Sequence, residues 1–121
     1  MKITVNEQPQ RFYLAFDKWE AAVGHEITVG EYRFCAIPLS KTVNISEVTS
    51  GAKVLDIPIS FEMMMVTATK EGSMEFFKKI GKRLEQAIIR KNDFDQQLTK
   101  MKETAFERLG EMPPIETVEI D

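Results

Sequence analysis

Hydrophobic side chains occupy alternate positions through residues 2–6, where Ile3 and Val5 are flanked by polar neighbours, and that period of two predicts a short strand. Pro9 interrupts it. Over residues 11–23 the pattern changes: Phe12, Phe16, Trp19 and Val23 are separated by four, three and four positions, a helical spacing that Gly24 would end in a left-handed conformation. A strand with Phe12, Leu14 and Phe16 on one face competes with this helix, because aromatic residues suit strands. The helix is the expectation, with the strand as its alternative.

Residues 25–39 return to a period of two. Ile27 and Val29 lead into Gly30-Glu31, a pair suited to a two-residue hairpin turn with glycine first, and Tyr32, Phe34 and Ala36 resume the alternation beyond it. Pro38 lacks an N–H and so ends the second strand or sets it at an edge. Val43 and Ile45 predict a further strand and Thr49-Ser50-Gly51 a turn; Leu55, Ile57, Ile59 and Phe61 then mark a strand through residues 53–61. Met63, Met64, Met65 and Val66 follow with a period that fits a buried strand and a short helix equally.

The last third is helical. From an N-cap at Ser73, the residues Phe77, Ile80, Leu84, Ala87 and Ile88 form one apolar face that reaches about residue 91. Asn92 suits a left-handed stop. Asp93, with Gln96 three positions on, has the form of a capping box opening a second helix, which turns Phe94, Leu98, Met101, Ala105 and Leu109 inward and closes at Gly110. So short a turn allows a helical hairpin or a nearly collinear pair. Pro113-Pro114 excludes helix beyond it. Residues 115–121 read as an extended tail, frayed by default, whose alternating Val118 and Ile120 also suit a strand added to a sheet edge of this chain or a neighbouring one. Together these elements predict a single α+β domain over residues 1–110, a small and mostly antiparallel sheet in the N-terminal two-thirds packed with a C-terminal pair of amphipathic helices, and an acidic tail over 111–121.

At 121 residues, 43% hydrophobic and 29% charged, the chain can bury one core and is too apolar for disorder. Cys35 is the single cysteine, so no internal disulfide can form and a reducing compartment is expected. No apolar run reaches the roughly 18 residues of a membrane span, and residues 1–17 lack the form of an export signal. The expectation is a cytoplasmic protein without membrane contact.

Inventory argues against catalysis. His25 is the only histidine, which excludes a two-histidine metal cluster within one chain. A Cys35–His25 nucleophile pair fails on register: residue 25 faces residue 36 across the hairpin, so Cys35 points to the other side of the sheet. Ser50-Gly51-Ala52-Lys53 resembles the end of a phosphate-binding loop but lacks its first glycine and the hydroxyl after the lysine. Glu20, Glu26, Glu31, Asp56 and Glu62 could converge as carboxylate pairs only through tertiary structure. Neither an enzyme nor a cofactor or metal site is expected.

The charge distribution carries the functional expectation. Cations outnumber acids over residues 70–110, whereas 111–121 holds Glu111, Glu116, Glu119 and Asp121 and no cation. At about 100° per residue, Lys78, Lys79, Lys82, Arg83 and Arg90 gather on the arc opposite the apolar face of the first long helix, interrupted by Glu75 and Glu85. Lys79 and Arg83 are like charges at i, i+4, a repulsion that an anionic partner would relieve. These five residues predict a non-catalytic binding protein that captures an anionic small ligand of nucleotide type or an acidic protein surface. Nucleic acid is disfavoured, because no aromatic residues interleave with the cations and the domain is acidic as a whole. The tail is complementary in sign to the cationic arc, so a homo-oligomer built by tail-to-helix docking is expected. The alternative is a protein-interaction module, an inhibitor or adaptor, that uses its edge strands or the apolar surface of Met63, Met64 and Met65, with Ile89 and Phe106 as further apolar positions beyond one helical face.

Overall fold

The computed structural model describes residues 1–119. In chain order its elements are β1 (Ile3–Val5), β2 (Gln10–Ala15), β3 (Trp19–Val29), β4 (Tyr32–Pro38), β5 (Thr42–Glu47), β6 (Lys53–Pro58), α1 (Phe61–Val66), α2 (Lys70–Arg90), α3 (Phe94–Leu109) and β7 (Glu116–Thr117). Among the described residues the strands make one seven-stranded antiparallel sheet in the order β6-β5-β4-β3-β2-β7, with β1 joined to β3. The fold is α+β, with the sheet in the N-terminal two-thirds and the two long helices after it. The hairpin forms at Gly30-Glu31, with Val29 opposite Tyr32 and His25 opposite Ala36.

Residues 11–23 are not a helix. They supply most of β2, the connection after it and the start of β3, in a ladder running from Gln10 opposite Gly24 to Ala15 opposite Trp19. Phe12 and Leu14 are both 1% exposed while Phe16 and Val23 lie at the surface, an alternation that a strand produces and a helix does not. The i, i+4 spacing of Phe12 and Phe16 misled because four is also an even number of strand positions. Gly24 is likewise no helix stop. It lies inside β3 at a point so close to β4 that a Cβ there would stand 2.1 Å from the Ala36 carbonyl oxygen.

At that point β3 leaves β4. Its second half, from His25 to Val29, pairs with β4 on one edge and in part with β1 on the other, and its first half carries β2. The departure lets the sheet fold over on itself: Phe12 and Leu14 of β2 pack on Cys35 and Ile37 of β4 and on Val48. The opposite face of the sheet holds Ile27, Val29, Phe34, Ala36 and Ile45, covered by Ile80, Leu84 and Ile88 of α2 and Phe94 of α3. Both faces of β4 are therefore buried, and burial of such side chains is worth about 1.5–3 kcal/mol each. The Ala15 N–H donates to the Gly51 carbonyl at 2.9 Å and ties the end of β2 to the β5–β6 turn. That turn is held by the buried Glu47 carboxylate, which accepts from the Thr49 and Ser50 amides at 2.8 and 2.9 Å.

The first long helix begins earlier than its capping pattern suggests, and the second begins where expected, after Asp93, but without the expected cap. α2 starts at Lys70, capped by the Thr69 hydroxyl, which accepts from the Gly72 N–H at 3.0 Å; Ser73 lies within the helix and donates its hydroxyl to the Thr67 carbonyl. Asp93 precedes α3 without capping it, and its carboxylate accepts instead from the Gln97 side chain. The strand expected through residue 61 stops at Pro58, and the methionine run that follows is the helix α1. α2 and α3 make little contact with one another and dock separately on the sheet. Phe94 meets Tyr32 edge-on at 5.0 Å, and Phe106 meets Trp19 in the same way at 5.8 Å, so Phe106 is engaged in packing and is not spare surface.

The tail joins the sheet of its own chain. Glu116 and Thr117 pair with Arg11 and Gln10, Glu116 forms an ion pair with Arg11 at 3.0 Å, and the Val118 N–H donates to the Pro9 carbonyl. The default of a frayed terminus does not hold for these residues. Ile120 and Asp121, also assigned to the tail, lie outside the described residues.

Two outcomes follow from this packing. Gly24→Ala forces a methyl group onto a backbone oxygen and is expected to lower the unfolding free energy by roughly 1–3 kcal/mol in urea denaturation; a neutral substitution would mean that β3 does not approach β4 this closely. The Tyr32 hydroxyl donates to Asp95 at 2.5 Å, and that hydrogen bond, with burial and the carboxylate's charge, raises its pKa from 10.0 to about 12. The folded state then holds this proton more tightly than the unfolded state. Its contribution to stability is complete below pH 10 and is lost as pH rises towards about 12. Denaturation measured at stepped alkaline pH is expected to show the advantage of wild type over Tyr32→Phe shrinking across that interval and constant below it.

Candidate functional site

The cationic arc forms as a surface. α2 buries Ile80, Gly81, Leu84 and Ile88 against the sheet, which leaves Lys78, Lys79, Lys82, Arg83 and Arg90 exposed on its outer side. Among the described residues none of the five is in an ion pair. The acids expected to interrupt them differ in fate: Glu85 turns to the N-terminal amine at 3.0 Å, while Glu75 stays exposed among the cations. Ile89 projects from the same side and is 63% exposed. None of the five side chains is a wall of the clefts beside α1 or along α3.

An apolar concavity lies beside the first turns of α2. A cleft of about 430 Å³ opens where β3 bends, between the end of β4, α1 and the first turns of α2; Val23, His25, Met63, Met64, Phe76 and Phe77 are among its walls. α1 has no buried residue. Met63 packs against the core, but Phe61 is 75% exposed, Met64 60%, Met65 64% and Val66 50%. The methionine run thus divides, with one side chain filling the core and the rest facing outward.

His25 belongs to this cleft. Its ring packs on Phe77 at 5.3 Å between centroids, and Nδ1 stands 2.9 Å from the Asn6 carbonyl oxygen. A carbonyl can only accept, so Nδ1 carries the proton of that hydrogen bond and Nε2 is the acceptor in the neutral ring. Ser73 also borders the cleft, but its hydroxyl is given to the Thr67 carbonyl, and no hydrogen bond joins it to His25 among the described residues. A nucleophile and base in mutual contact are therefore not assembled here.

Of the remaining candidates for chemistry, Cys35, Glu26 and Asp56 are occupied structurally, whereas Glu20, Glu31 and Glu62 are in no ion pair among the described residues. Cys35 sits opposite Glu26, on the face away from the His25 side chain, and burial pushes its thiol up to about 12. Glu26 accepts both hydrogen bonds of the Arg33 guanidinium at 2.9 Å, and Asp56 pairs with Lys53 at 2.9 Å. Among the described residues no three of His, Cys, Asp and Glu gather as metal ligands, and no helix is long and apolar enough to cross a membrane. Arg11 takes Glu116, so the tail has committed one of its four carboxylates to its own sheet, which weakens the case from complementary sign for tail-to-helix docking.

Sequence reasoning located the cationic residues and missed the cleft. Its walls come from β3, β4, α1 and α2, and the one available signal was a surplus of apolar side chains over residues 61–66. Comparison with known proteins finds no matching family model, curated protein or solved structure.

The state of Cys35 is testable. A thiol held near 12 carries almost no thiolate at pH 8, so Ellman's reagent is expected to leave the native protein unlabelled and to react with one thiol per chain in denaturant. Rapid labelling of the native state would contradict the burial.

Proposed function

We propose that this chain is a non-catalytic binding protein that holds an acidic protein surface on the outer face of α2 through Lys78, Lys79, Lys82, Arg83 and Arg90. The observation that carries this reading is that all five cations are exposed and none is in an ion pair among the described residues. Lys78 with Lys82 and Lys79 with Arg83 stand one turn apart, so each pair repels by a few tenths of a kcal/mol in the free protein. A partner with carboxylates on one face removes that repulsion and adds charge-assisted hydrogen bonds, bidentate at the two arginines. That none of the five side chains is a wall of the cleft beside α1 speaks against a nucleotide-sized ligand, because small molecules bind in concave sites that cover most of their surface. The exposed arc suits a second macromolecular surface.

The probe is a fluorescent polyglutamate peptide followed by anisotropy. Binding is expected at about 0.05 M salt and is expected to disappear by about 0.5 M, since exposed charges are screened over a few ångströms there. Lys79→Glu combined with Arg83→Glu alters exposed positions only, so the fold persists while affinity falls at least about tenfold. No binding by the wild type, or equal binding by the double variant, ends this reading.

A further inference from the structure

The cleft and the cationic arc meet. On α2 the residues Gly72, Phe76, Lys79, Arg83 and Arg90 follow one another at spacings of four, three, four and seven, which sets them in one row along the helix. Phe76 is a wall of the cleft, and Lys79 is the next member of the row. From Phe76 to Arg90 the row runs roughly 20 Å, the length of a four-turn helix.

α1 is fixed at the head of this row. A Cβ at Gly72 would stand 1.8 Å from the Val66 carbonyl oxygen, so the last turn of α1 rests directly on the backbone of α2. The Ser73–Thr67 hydrogen bond and the Thr69 cap secure the same corner. The exposed side chains of Phe61, Met64, Met65 and Val66 are therefore held in a set position relative to the cations. They present on the order of 500 Å² of apolar surface, at the upper end for a monomer and below the roughly 800 Å² that one side of a stable interface buries. An occupant needs the cationic row as well as the cleft.

We infer that the cleft beside α1 and the row Lys79, Arg83 and Arg90 form one continuous docking surface for an acidic amphipathic helix of a partner protein. Its apolar side chains seat against Met63, Met64 and Phe76, and its carboxylates lie along the row. This rests on the reading of α2 as an acid-binding face and adds the apolar half of the partner. Charge selects the occupant. A second copy laid on this face by a two-fold axis would bring the cationic row up to the same row of its mate, with Glu75 the lone exposed acid among five cations on each copy. A lipid surface also combines apolar and anionic groups, but a bilayer is flat and the cleft is recessed. Methionines suit such a site because their unbranched side chains adjust to the residues that enter.

The experiment selects helix-forming peptides of about 16 residues from a randomised display library against the intact protein, then measures the enriched peptides in solution. Enrichment of sequences with large apolar residues at three-to-four spacing and acids beside them is expected. Their affinity is expected to fall at least about tenfold on Met64→Ser with Met65→Ser, and again on Lys79→Glu with Arg83→Glu. The methionine variant is expected to bind polyglutamate as the wild type does, which separates this inference from the one before it. Acidic peptides enriched without apolar spacing, or unaffected by the methionine variant, would overturn the inference and leave the acid-binding face standing. Selection of basic or uncharged peptides, a dimer in solution that the methionine variant dissociates, or binding to anionic vesicles with no peptide enriched would each overturn it as well.

Discussion

The close approach of β3 to β4 at Gly24 governs the rest of the architecture. A sheet of this size with helices on one face would ordinarily leave its other face to water. Here the long strand β3 parts from β4 at a residue with no side chain and carries β2 over the exposed face, so that Phe12 and Leu14 cover Cys35 and Ile37. One strand, β4, then contributes to two cores. The arrangement gives a small domain more buried apolar surface than a single open sheet would, and small domains are limited by that quantity.

The same bend makes the cleft. Where β3 turns away, its pairing with β4 stops at His25; Val23, Gly24 and His25 form a wall of the cleft, and α1 supplies Met63 and Met64 to it. The cations of α2 arise from a separate cause, since a helix that buries one stripe against a sheet must present the other to solvent. Their meeting along Gly72, Phe76 and Lys79 is a result of how α1 seats on α2. A glycine at position 72 permits that seating.

The inventory of reactive groups is nearly used up by structure. Cys35 is packed, Glu26 and Asp56 answer Arg33 and Lys53, and the buried Glu47 holds a turn. Beside scattered exposed acids such as Glu75, what stays uncommitted is exposed cations and exposed large apolar side chains. Those are the materials of recognition, in which charge steers and selects while apolar anchors supply affinity.

Much was legible from the chain alone. The hairpin at Gly30-Glu31, the strands around Val43 and Leu55, both long helices and the shared side of the five cations all follow from local period and turn chemistry, which act within a few residues. Residues 11–23 were misread because their aromatic spacing satisfies a helix and an even-numbered strand alike, and only pairing with β3 could choose between them. Met63, Met64 and Met65 held the same ambiguity, settled by the caps at Ser60 and Thr69 and by the seat on α2. The place of His25, the partner of Glu116 and the existence of the cleft depend on segments distant in sequence coming together. Where the period was unambiguous, sequence determined which side chains an element would bury, because burial follows period; tertiary structure alone decided which buried and exposed faces would adjoin, because that is set by where the backbone can approach itself.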